Sequence, residues 1–308
     1  MTAWPLVLGL AVSALPTVEI APGVHYPWIQ MGACTTCSSK APCCGTNLTA
    51  SLPSWSAAQG ADGVTAIDTQ LRYNDTRVVA QALAALALPR ARLWITTKVD
   101  PKAYCGASDV RATVLSMVRE NLRQLNTSYA DLLLLHEPCD SAHGTPQPAD
   151  QAAWGALQQA RQQGWVRAIG LDKFNKAQLE ALTGATPAVL MAPMSLSAHD
   201  DAMIAYCAAR GITYNAYGVM AGCKFSDPTV LALAARYSAS ASQVCGAWTR
   251  QRGCTMALGF GTDEATAAAY IREDLDIFRF NMTDAEVAAL DALASSSASA
   301  APPPPSGL

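Results

Sequence analysis

Four side chains in the first half of the sequence are of types that move protons: Asp68, Tyr73, Lys98 and His136. Three of them end apolar runs. TAIDT (65–69) carries Asp68, RLWITTKV (92–99) carries Lys98 and ADLLLLHE (130–137) carries His136, while Tyr73 follows Asp68 by five residues. A free phenol holds its proton up to a pH near ~10, too high to give it away readily at neutrality. An ammonium beside it favours the phenolate and lowers that value. A carboxylate beside the ammonium keeps it charged and fixed in place, and an imidazole nearby can orient a substrate oxygen. Such a group would protonate a carbonyl oxygen as hydride arrives at its carbon. Singly, each residue has a plainer reading: a turn aspartate, a half-buried loop tyrosine, a strand-end surface lysine, a hydrogen-bonded loop histidine. Only a scaffold that brings the four run ends together favours the chemistry.

The runs that must do so number eight: 29–32, 65–69, 92–99, 130–137, 166–171, 188–192, 212–217 and 255–260. Most are short, continuous and aliphatic, as strands covered on both faces are. Amphipathic stretches separate nearly all of them, among them DTRVVAQALAALAL, DVRATVLSMVRENLRQL and PADQAAWGALQQARQQG, the last stopped by Gly164. Eight strands alternating with helices predict an α/β fold, a single-domain (β/α)8 TIM barrel, with its chemistry at the C-terminal strand ends. An open doubly wound sheet is the rival, and it would bring a G-x-G-x-x-G turn that is absent from the sequence.

The chain has 308 residues, 51% hydrophobic and 15% charged, with net charge −3. That is enough for one large core. No basic run points to nucleic acid. Residues 1–16 read as a signal peptide, with Val12 and Ala14 suiting small-residue cleavage. The plainer alternative is an N-terminal apolar strand packed under the barrel, in a cytoplasmic protein. Ten cysteines and four N-x-[ST] sequons, at Asn47, Asn74, Asn126 and Asn281, favour the secretory or extracellular route. Cys34, Cys37, Cys43 and Cys44 have no histidine near them and suit disulfides better than a zinc site, so no metal is expected. Residues 17–296 form the barrel, with a Cys-rich insertion at about 33–57 predicted to cap the mouth. Cys105 and Cys139 follow the third and fourth strands on one face and are expected to pair, whereas Cys207 and Cys245 read as core thiols. Residues 297–308 form a disordered Pro/Ser tail. No membrane contact is expected once the signal is removed.

Several segments together resemble the aldo-keto reductase family: GVHYPWIQMG, AIDTQLRYND, LWITTKV, YADLLLLHEP, GWVRAIGLDKF, ITYNAYGVMAG and REDLDIFRFNMTDAEVAALDAL, covering about 22 to 292. The resemblance implies an NADPH-dependent oxidoreductase, with NADH a second candidate, that reduces a small aldehyde or ketone. It makes Asp68, Tyr73, Lys98 and His136 the catalytic tetrad and sets Tyr217 against the nicotinamide ring. The remaining cofactor positions fall on Asp172, Lys173, Met191, Gly218, Met220, Arg272, Glu273 and Asp274. Here the chain departs from the family. Asp172 and Lys173 replace the Ser-Asn pair that grips the carboxamide, and Met191 replaces a glutamine. Gly218 and Met220 stand in a Ser-Pro-Leu turn, and the usual 2′-phosphate cations are missing near Gly259 and Tyr270, with Arg272 a substitute. The alternative to an active reductase is a barrel that has lost cofactor turnover and binds a ligand or partner.

Overall fold

Pairing all eight apolar runs in parallel closes them on themselves. The structure, a computed structural model, describes residues 15–33, 47–60, 62–71, 76–261 and 263–294. An antiparallel hairpin comes first, strands β1 (Thr17–Ala21) and β2 (Val24–Pro27), turning at Gly23 with φ +69°. The barrel strands follow: β3 (Ile29–Gly32), β4 (Thr65–Asp68), β5 (Leu93–Val99), β6 (Ala130–Leu135), β7 (Val166–Asp172), β8 (Val189–Pro193), β9 (Thr213–Tyr217) and β10 (Thr255–Leu258). They pair in chain order, and β10 closes onto β3. Every residue of β5 and β6 is buried, which is why these runs lack polar alternation.

Side chains still alternate between two apolar environments. Ile67, Ile95, Leu133, Ile169 and Leu190 pack with the outer helices, while Ala66, Trp94, Leu132, Ala168 and Val189 fill the barrel interior. The hairpin packs against this inner layer through Ile20, Val24 and Tyr26. The expected helices form over Thr76–Ala85, Val110–Gln124 and Pro148–Gln162, and Gly164 takes φ +75° just past the last. No helix among the described residues is long and apolar enough to cross a membrane.

The expected insertion at about 33–57 divides into two parts. Cys34, Cys37, Cys43 and Cys44 lie outside the described residues, as do the expected signal segment up to residue 14 and the tail from 295. Leu48–Ala58 is an outer helix of the barrel. Its Trp55 is fully buried, donates its indole N–H to the Ala66 carbonyl and lies against Phe260. Cys105 and Cys139 are bonded, with Cα atoms 5.5 Å apart, as expected. Cys207 is a buried free thiol. Cys245 is a correction: it pairs with Cys223, because the helix Ala241–Gln251 turns it toward the loop after β9.

Candidate active site

Two-residue steps along the inner faces lead from the apolar layer to the polar mouth. On β4 the step is Ala66 to Asp68. On β5 it runs Trp94, Thr96, Lys98, and on β6 Leu132, Leu134, then His136 just past the strand. Lys98 and Asp68 are almost fully buried, and the ammonium bonds both carboxylate oxygens at 2.6 Å. Burial pushes the Asp68 carboxyl up, and Lys98 pulls it back, burial being the larger effect. Asn121, from the helix Val110–Gln124, pins β5 by bonding the Thr97 hydroxyl and donating to the Lys98 carbonyl. His136 is set beside β5 by its backbone N–H, which donates to the Val99 carbonyl at 3.0 Å. Three of the four proposed proton-handling residues therefore stand at adjacent strand ends. Tyr73 and Asn74 lie outside the described residues.

The next strand adds a carboxyl to the same ring. Asp172 ends β7, is 2% exposed, and its Oδ2 lies 3.7 Å from His136 Nε2. Its Oδ1 has no hydrogen-bond partner. Burial pushes this acid up to about 7 against the pull of Lys173 and Lys98, and Asp68 and Glu137 add to the rise. Lys173 takes a left-handed φ of +63°, gives its N–H to the Met191 carbonyl and turns its ammonium toward Glu137 at 3.9 Å. Met191 is buried on the inner face of β8, in register with Asp172 on one side and Asn215 of β9 on the other. Asn215 is fully buried and accepts from the Thr255 hydroxyl, but its Nδ2 has no partner. The sequence reading missed it. The signal was a polar residue at an inward position of TYNAY, two before Tyr217. Tyr217 ends β9 half-buried, and Gly218 turns the chain with φ +74°.

A model of the aldo/keto reductase family matches residues 56–295. The chain belongs to this family. Its members are NAD(P)H-dependent oxidoreductases. An aldo-keto reductase of Mycobacterium avium is 31% identical over 237 residues, covering 75% of this chain and 78% of that protein. Among solved structures, the Bombyx mori aldo-keto reductase AKR2E4, in complex with NADP, aligns with TM-score 0.74 and 26% identity over 91% of this chain and 93% of its own. An aldo/keto reductase from Brucella melitensis shares the fold, with TM-score 0.75 and 24% identity over 91% of this chain and 100% of its own.

In this aldo-keto reductase, the remaining predicted positions have partners outside the polar ring. Met220 is half-buried, close to the helix that carries Gly246. Arg272 is exposed and donates back to the Ala268 carbonyl of its own helix. Glu273 accepts from the Ser240 and Ser242 hydroxyls. Asp274 is buried, and burial together with Glu273 pushes its carboxyl well up. Asp131, at the opposite end of β6, bonds Arg90 at 2.7 Å and Arg167 at 3.0 Å, a scaffold contact at the barrel's rear.

Proposed function

We propose that this chain reduces an aldehyde or ketone to an alcohol with NADPH, Tyr73 giving the proton and Lys98, Asp68 and His136 assisting it. The observation that carries the reading is the buried Lys98–Asp68 pair at 2.6 Å with His136 on the neighbouring strand end. A buried ion pair is costly to keep for stability alone. At a barrel mouth it has a use, because a fixed ammonium stabilises negative charge that develops on a nearby oxygen.

The fit of a nicotinamide cofactor is supported by two buried atoms without partners, Asp172 Oδ1 and Asn215 Nδ2, on the inner face either side of Met191. An acceptor or donor left unmet in a protein interior is costly, and an amide-bearing ligand would answer both. Asp172 and Asn215 would hold the carboxamide end, with Tyr217 offering its ring to the flat heterocycle. Lys173, Met191, Gly218 and Met220 would line the same end, and Arg272, Glu273 and Asp274 the far end. The cofactor, when bound, supplies hydride. The protein's own part is to hold the carbonyl oxygen near His136 and the Tyr73 hydroxyl. Lys98 favours loss of the phenol proton, and Asp68 keeps Lys98 charged and aimed.

The test is NADPH binding followed by fluorescence, beside reduction of 4-nitrobenzaldehyde, in the wild type and Tyr73→Phe. Loss of the general acid is expected to cut turnover by about 10²–10⁴-fold with binding kept. Turnover untouched by Tyr73→Phe, or no turnover in either protein, defeats the reading.

The same proposal routes the chain through the secretory pathway. Of its sequons, Asn126 is exposed, while Asn47 caps a helix and Asn281 accepts from Arg250. Glycan mapping after expression in a secreting host tests this part separately.

A further inference from the structure

Asp172 is the one carboxyl of the polar ring with no lysine or arginine within 4 Å among the described residues; its nearest cationic partner is His136, at 3.7 Å. Lys98 spends its ammonium on both oxygens of Asp68. Lys173, the next residue, leans toward Glu137. The contact of Asp172 Oδ2 with His136 Nε2, at 3.7 Å, is too long for a full hydrogen bond, and Oδ1 bonds nothing. The neighbouring inner-face side chain, Met191, gives at best a weak acceptor. An ionised carboxylate in this position would be desolvated, offset only by the more distant pull of Lys173 and Lys98, which burial outweighs.

We propose that Asp172 binds the dinucleotide only as the neutral acid, so that a single proton on this side chain gates the affinity of the site. The proposal rests on the cofactor reading above. A protonated carboxyl carries one O–H donor and retains an acceptor, the complement of an amide's carbonyl and N–H. Ionised, the same group only accepts and faces an amide oxygen with negative charge. The acid's midpoint, pushed up to about 7, puts the change within the working range of a protein in a near-neutral compartment.

Other charged and titratable groups act on or feel Asp172: Asp68 on β4, Lys98 on β5, His136 and Glu137 after β6, its neighbour Lys173, the buried Tyr26 of β2 and, at longer range from the outer layer, Tyr214 of β9. Burial pushes both tyrosines further above their ordinary range, so neither titrates near neutrality. His136 lies 3.7 Å from Asp172, and the comparison with Asp172→Asn is what isolates the acid's own contribution.

NADPH affinity is measured by fluorescence titration between pH 6 and 8 for the wild type, Asp172→Asn and Asp172→Ala. Apparent affinity follows the fraction of protein in the competent form. With a midpoint of about 7 the wild-type dissociation constant is expected to rise about tenfold over that range, relative to Asp172→Asn. Asparagine is uncharged at every pH and keeps both a donor and an acceptor, so its curve should show only what the two proteins share, the ligand's own phosphate titration and that of the other groups of the ring. Asp172→Ala is expected to bind weakly throughout. A wild-type curve parallel to that of Asp172→Asn overturns the proposal. So does a wild-type curve without a pH trend for NADH, which lacks the 2′-phosphate, a measurement that needs no variant to fold. Absence of NADPH binding to any of the proteins at every pH overturns the cofactor reading along with it, and the two failures are told apart by whether binding is seen at all.

Discussion

Asp68 and Asp172 are buried carboxyls on one ring of the barrel, and they differ because the Lys98 ammonium bonds only the first. That difference has a thermodynamic signature. Asp172 keeps its proton in the folded chain up to about 7, while an unfolded aspartate loses it near 3.8. Between these values the folded state binds more protons, so this group makes stability fall as pH rises from 4 to 7 and remain lower above. Asp172→Asn removes that fall. Chemical denaturation at pH 5 and pH 8 is expected to show the variant gaining roughly 2–4 kcal/mol on the wild type at the higher pH. Equal differences at both pH values would falsify the assignment of a raised acid. Asp68, Lys98 and His136 were legible from sequence because strand ends can be counted. The state of Asp172 was not, because it depends on where Lys98 points, and spacing does not record that.

At the scale of elements, β7 carries the tightest constraint on this ring. A Cβ on Gly170 would lie 2.4 Å from the Val189 carbonyl oxygen and 2.8 Å from a Leu134 methyl. The backbones of β7 and β8 would have to part, just two residues before Asp172. Gly170→Ala is expected to cost about 1–3 kcal/mol and to weaken NADPH binding with it. Unchanged thermal unfolding would show that the strands yield more easily than the geometry suggests. The eight strands were legible to within one or two residues at each end, since runs buried on both faces are unbroken in apolar character; β7 and β8 each run one residue further, to Asp172 and Pro193, while β6 and β10 stop two residues short. Cys245 was misjudged for a related reason. Helical periodicity reports which face is buried, and says nothing of whether the neighbour across that face is an aliphatic residue or Cys223.

At the scale of the molecule, the two cystines among the described residues sit at the end of the barrel where the polar ring lies. Cys105–Cys139 joins the loops that follow Lys98 and His136, and Cys223–Cys245 joins the loop after Tyr217 to an outer helix. Their sequence separations of 34 and 22 imply about 3–4 kcal/mol each from chain entropy. Replacing Cys105 and Cys139 together by serine is expected to lower the melting temperature while sparing turnover per folded molecule, because Lys98 and His136 are set by strand pairing. A double variant that melts like the wild type would mean the bond constrains nothing the strands had not already fixed.

The hairpin that opens the chain reaches further than its size suggests. Tyr26, with no exposed surface, stands edge-on to Trp94 beneath the inner layer. It stops the cylinder like a cork at the end away from the polar ring. With that end closed, the proposed reaction has only the other end for exchange, and under that proposal product and spent nucleotide are expected to leave in a fixed sequence, visible as ordered product inhibition.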